Sequence, residues 1–189
     1  MARLVYSLIA SLDGYIEDVH GRFDWAAPGA EAHAFVNDLE RPVGTYLYGR
    51  GMYETMAVWE TDPSLAEHSP EMRDFAAIWK AADKIVYSST LPEVSTSRTV
   101  LERRFDPDAV RRLKAAAAAD MAVAGPGLAA HAFRAGLVDE LHVFLAPALV
   151  GAGKRGFPAD VRLDLDLIDE RRFADGMAFL RYRVARATT

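Results

Sequence analysis

The sequence predicts an α/β fold in three layers, a mostly parallel central sheet flanked by helices and finished by an antiparallel C-terminal hairpin. Three observations predict it. Short apolar runs alternate with amphipathic stretches of helical spacing, and three of those runs end directly in glycine-rich or hydroxyl-rich turns. The tail then changes character, with two strand-like runs at 161–168 and 177–185 and no helix between them.

Taken in order, residues 3–10 (RLVYSLIA) read as the first strand, and Ser11-Leu12-Asp13-Gly14 turns the chain into Tyr15-Ile16 before a polar loop at 17–24. Residues 29–40 place Ala32, Phe35, Val36 and Leu39 on one helical face, and Pro42 stops that helix. Val43 to Tyr48 is a compact strand that runs into Gly49-Arg50-Gly51, with helical spacing resuming from Tyr53 to Val58. Residues 71–82 form an amphipathic helix with Met72, Phe75, Ile78 and Trp79 inward, followed by a buried strand from Lys84 to Ser88. Ser97 to Leu101 is a candidate short strand, and Pro107 to Ala119 a helix with proline at its start. Met121 to Ala124 is an apolar strand that enters Gly125-Pro126-Gly127, from which a helix runs from Leu128 to Ala135. Leu141 to Leu145 is the next strand, and Asp175-Gly176 supplies the turn of the terminal hairpin. No linker or repeat interrupts this series, so residues 1–189 are read as a single domain.

Composition narrows the function. The chain has no cysteine, which excludes disulfides, thiolate zinc sites and cysteine nucleophiles and suits a reducing, cytoplasmic location. His20, His33, His68, His131 and His142 lack close metal-ligand spacing, so no metal is expected. A net charge of −5 gives no broad basic footprint, and no nucleic-acid partner is expected. The apolar stretch from Leu4 to Leu12 leads into Asp13-Gly14 rather than a cleavage site of small residues, and reads as a core strand. No apolar run is long enough to span a membrane, and no membrane partner is expected.

In open α/β sheets ligands bind beyond the C-terminal ends of the strands, and three such ends carry suitable groups here. Gly49-Arg50 offers a guanidinium at a helix start, Ser88-Ser89-Thr90 a hydroxyl cluster, and Gly125-Pro126-Gly127-Leu128 a glycine turn at a helix N-terminus. Together they suit a dinucleotide with a 2′-phosphate, NADPH rather than NADH. Each feature also has a plainer reading: Arg50 as a surface ion pair, Ser88 to Thr90 as an ordinary turn, and the glycine turn as a simple strand-to-helix connection.

The segments SLIASLDGYI (7–16), DW (24–25), YLYGRGMYE (46–54), KIVYSSTL (84–91), AVAGPG (122–127) and LVDELHVFLAPALVGAGKRGF (137–157) carry a family likeness. In this order the chain resembles the dihydrofolate reductase-like superfamily, closest to the C-terminal reductase domain of the bifunctional riboflavin-biosynthesis deaminase/reductase. The resemblance implies a stand-alone, NADPH-dependent reductase of a pteridine, folate or ribosylaminopyrimidine-like molecule, and a homodimer. It places Ile9 and Ala10 against the nicotinamide, and Gly151 and Gly153 near the cofactor or the dimer edge. Two positions depart from the pattern. Met52 stands where threonine is usual in the Gly-Arg-x-Thr motif, and Gly125-Pro126 replaces a glycine pair. That pair carries a cis peptide in dihydrofolate reductases, and a cis bond is expected at Gly125-Pro126 because proline lowers its cost.

For the substrate, the resemblance makes Glu31 the first candidate carboxylate for the amidine-like edge of a ring, and Asp13 the second. Trp25, Tyr53 and Trp59 are candidate walls of the substrate site. Glu31 reads equally as a solvated carboxylate stabilised by the helix dipole, and Asp13 as half of a tight-turn pair. No deaminase signature is present. A non-catalytic NADP-binding or interaction protein on the same fold is the alternative.

Overall fold

The computed structural model describes residues 2–185. The chain runs β1 (Leu4–Ser11), β2 (Tyr15–Asp18), α1 (Ala30–Glu40), β3 (Val43–Gly49), α2 (Arg50–Met56), α3 (Val58–Thr61), α4 (Pro70–Ala81), β4 (Asp83–Tyr87) and β5 (Thr99–Glu102). It continues through α5 (Pro107–Ala116), β6 (Asp120–Ala124), α6 (Pro126–Arg134), β7 (Glu140–Ala146), β8 (Gly153–Arg155), β9 (Leu165–Arg172) and β10 (Ala178–Val184). Eight strands form one sheet in the order β5-β4-β3-β6-β1-β7-β10-β9, while β2 and β8 make a separate two-stranded ribbon. The first six strands of that order are parallel, β10 pairs antiparallel with β7, and β9 pairs antiparallel with β10.

Alternation along each strand divides the core between two faces. Leu4, Tyr6, Leu8, Leu47, Met121 and Val123 pack with Val110 of α5 and with Leu128, Ala132 and Phe133 of α6. On the other face Tyr46, Tyr48 and Ala122 meet Tyr53 of α2 and Phe75 and Trp79 of α4. Phe144 and Phe179 pack beneath Ala32 and Phe35 of α1 on that same side. Burial on both faces explains why β1 and β6 read as continuous apolar runs.

Local chemistry fixes the helix starts. The Ser69 hydroxyl accepts from the Met72 amide at 3.1 Å, and the Asp106 carboxylate accepts from the Asp108 amide at 2.9 Å, each just ahead of a proline at the first helical position. Helix α1 has no side-chain cap of its own; its N-cap residue Gly29 donates instead to Asp175, 2.8 Å away in the β9–β10 turn.

Several expected boundaries move. The helix read to Ala119 ends at Ala116, and the strand read over 161–168 starts at Leu165 and continues to Arg172. The ribbon partner β8 was not expected. A Cβ on Gly153 would lie 2.0 Å from the Glu17 carbonyl oxygen, so this glycine permits the close approach of β8 to β2. Among the described residues no helix is long and apolar enough to cross a membrane, and no cluster of three or more metal-ligating side chains occurs.

Candidate functional site

Strands β3 and β6 are neighbours, yet the chain leaves them toward opposite faces. Helix α2 joins the core beneath α4, and α6 joins the core shared with α5. A crevice therefore opens between them at the C-terminal ends of the strands. Its sides are close. A Cβ on Gly125 would stand 3.0 Å from Met52 Cβ, and one on Gly49 would stand 3.7 Å from Leu128 Cβ. Any larger residue at Gly125 would press on α2.

Gly125 has φ +86° and ψ +125°, a conformation that glycine adopts without a Cβ penalty, and Pro126 follows as the first residue of α6. The expected cis bond is absent: no described peptide is cis, and Gly125-Pro126 is trans. The positive φ of Gly125 already turns the chain from strand into helix. Ala129 donates to the Gly125 carbonyl at 3.0 Å, which leaves the Gly127 and Leu128 amides without acceptors inside the helix.

Across the crevice, Arg50 donates through Nε to Glu54 at 2.7 Å and through Nη1 to the Thr90 hydroxyl at 3.2 Å. The structure thus brings Arg50 and Thr90 together. Ser88 serves the turn itself: its buried Oγ accepts from the amides of Thr90 and Leu91 at 3.3 and 3.0 Å, while Ser89 is exposed. Arg103, which sequence reasoning missed, donates to the carbonyls of Leu91 at 2.6 Å and Ser88 at 3.4 Å. A basic residue directly after a short edge strand was its only sequence signal.

The end of β1 forms the next wall. Ile9 lies on the α1 face beside the Phe144 cluster, and Ala10 is fully buried on the other face. Asp13 accepts from the Ser11 hydroxyl at 2.6 Å and from the amides of Gly151 at 2.7 Å and Val150 at 3.1 Å. The Ser11 hydroxyl, with those amides, holds its carboxyl down at about 2. Asp13 is therefore ionised across the neutral range and clamps the loop after β7 to the end of β1. Gly151, at φ +79°, supplies one of the clamping amides.

Glu31 sits in the first turn of α1 and bonds outward, to Arg171 of β9 at 2.9 Å and to the Ala174 amide at 3.2 Å. Arg171 and that amide hold its carboxyl below the ordinary range. Trp25 packs against the Phe144 and Phe179 cluster, and its buried Nε1 has no protein partner. Tyr53 lies deep in the core beneath α4, where its hydroxyl accepts from the Ser95 amide at 2.7 Å. Trp59 stands edge-on to Phe75 with ring centroids 4.8 Å apart. The structure places Tyr53 and Trp59 in the core beneath α4, and Trp25 on the α1 side with Ile9.

The strand order, with its antiparallel C-terminal strands and flanking helices, defines a mostly parallel three-layer α/β domain, the fold of the solved structures it matches. More narrowly, the chain belongs to the RibD C-terminal domain family, which it matches over residues 2–179. It is 26% identical over 185 residues to the uncharacterized protein YyaP of Bacillus subtilis strain 168, covering 95% of this chain and 94% of that one. A presumed riboflavin biosynthesis protein of Shewanella sp. PV-4 has a similar structure, with a TM-score of 0.75, 23% identity and coverage of 98% of this chain and 100% of that one. The Thermotoga maritima diaminohydroxyphosphoribosylaminopyrimidine deaminase/5-amino-6-(5-phosphoribosylamino)uracil reductase matches with a TM-score of 0.65 and 17% identity over 97% of this chain. The chain spans 57% of that protein's length.

Proposed function

We propose that the protein is an NADPH-dependent reductase that transfers a hydride to a small heteroaromatic substrate of the pteridine, folate or ribosylaminopyrimidine kind. One observation carries the reading. Arg50 and Thr90, from the ends of β3 and β4, face the same crevice as the Gly125 turn and the free amides of α6. A guanidinium, a hydroxyl and unpaired N–H groups, with glycines where side chains would intrude, fit the phosphates of a dinucleotide. NADPH bound there would supply the hydride. Family membership and the reductase named in the Thermotoga protein support the reaction class.

On the substrate side Ile9 and Trp25 form an apolar wall. Glu31 would orient a ring edge only by exchanging its bond to Arg171, so the Glu31–Arg171 pair is the working unit. Asp13 acts as a positioning residue through the loop that it clamps. The cysteine-free composition suits a cytoplasmic protein. The half-exposed Leu165 and Leu167 on the outer strand suit a homodimer.

A second reading, a non-catalytic NADP-binding protein, is favoured by Met52 and Pro126, each of which removes a polar contact. Titration of the protein with NADPH and NADH, followed by cofactor fluorescence, tests the first. NADPH-selective binding that weakens about tenfold in Arg50→Ala is expected, the equivalent of one charge-assisted hydrogen bond. Absence of binding to either dinucleotide sinks both readings, whereas binding without turnover of pterins, folates or aminopyrimidines leaves the second.

A further inference from the structure

At the opposite end of the sheet from the crevice, a cavity of about 110 Å³ lies beneath the last turn of α1. Glu40, the final helical residue, lines it at 8% exposure and His142 of β7 at 6%. The Glu40 carboxyl faces the hydroxyls of Ser7 on β1 and Tyr46 on β3. Tyr46 Oη stands by the carboxyl without a hydrogen bond of regular geometry, and His142 Nε2, which has no hydrogen-bond partner, lies 3.6 Å from Glu140 Oε2.

Two guanidiniums reach the same cavity but are already engaged. Arg3 pairs with Asp120 of β6 and with Glu140 of β7 at 2.8 Å, and Arg181 of β10 pairs with Glu140 at 2.7 Å. Arg41, one residue beyond Glu40, points away to Asp74 of α4 at 2.9 Å and to Asp38 at 3.7 Å. Glu40 is thus left in a confined space with hydroxyls and an imidazole and no countercharge. A neutral carboxylic acid suits that setting, because it donates as well as accepts; a carboxylate there is desolvated and unpaired.

We propose that Glu40 is a proton-operated latch, seated under α1 while protonated and released toward solvent when it ionises, so that the last turn of α1 and the link to β3 loosen from the sheet. Burial pushes the Glu40 carboxyl up to about 7, so the change falls within the physiological range. His142 is held down at about 4, first by burial and then by Arg181, and stays neutral throughout. A group with a raised folded value stabilises the closed form fully below its ordinary range, and that contribution fades as pH rises toward the raised value. The opening equilibrium of residues 38–43 should therefore rise about tenfold per pH unit between roughly pH 5 and 7 and level off above, on the order of a hundredfold in all.

The test is carboxyl NMR of the full chain with amide hydrogen exchange over the same pH series, rates being divided by intrinsic exchange. A near-neutral midpoint for Glu40, and protection at 38–43 that falls as pH rises toward that midpoint and levels off above it, are expected. Glu40→Gln should abolish the pH dependence of protection. Titration of Glu40 near 4.5, protection that is flat with pH, or an unchanged pH dependence in the variant overturns the proposal. The first two readings need only the wild-type chain, so they decide the matter even if Glu40→Gln fails to fold.

Discussion

Asp13 shows how one carboxylate can tie two distant segments of a chain together. Its three donors come from Ser11 and from residues 150 and 151, so it ties the end of β1 to a loop more than a hundred residues away. Because its carboxyl is held down at about 2, the clamp is complete above the ordinary aspartate range and is lost as pH falls through that value. Asp13→Asn should lower the melting temperature at pH 7, with the gap to wild type closing between about pH 4 and 2 in thermal scans. Residue chemistry was only partly legible in the sequence. Arg50, Thr90 and the Gly125 turn could be found because strand ends announce themselves by glycine and hydroxyl residues. The partner of Glu31 could not, since Arg171 lies 140 positions away and meets it only through the sheet. The cis bond expected at Pro126 is absent because a strand-to-helix turn can be made by a positive φ alone, and Gly125 provides one.

Among the elements, the β2–β8 ribbon depends on a single missing side chain. Gly153→Ala would set a methyl group against the Glu17 carbonyl and force the strands apart, at a cost above about 1 kcal/mol, which urea denaturation would measure. Gly125→Ala should be harmful twice over, straining a residue at φ +86° and pressing on Met52; NADPH affinity and stability should fall together. Most helices and strands could be read because both faces of the sheet are covered, and the apolar runs are therefore uninterrupted. Strand β8 could not be read, since its Gly-Lys-Arg sequence has no apolar pattern and only its pairing with β2 makes it a strand.

For the whole molecule, β9 is exposed along its full length and leaves one edge of the eight-stranded sheet open. Leu163, Leu165, Tyr182 and Phe157 line a groove beside it of about 340 Å³. An uncovered apolar edge is a template for association. If a homodimer forms through it, Leu165→Asp combined with Leu167→Asp should shift size-exclusion elution to the monomer position while circular dichroism stays unchanged. The order of strands was less legible than their existence, because sequence patterns show where a strand is and seldom which neighbour it takes.

That order has a consequence for how the chain comes into being. Strand β1 is made first, yet it lies between β6 and β7, whose registers with it run from Leu4–Met121 to Ser11–Ala146. While the chain is emerging from the ribosome, this buried segment has no sheet partner until about 110 further residues, up to Met121, have been synthesised. At about 5–20 residues per second that is a wait of several seconds. The opening segment must be kept from misassociating throughout that interval, and release of a nascent chain shortened to end before β7 should yield aggregate rather than a smaller folded unit.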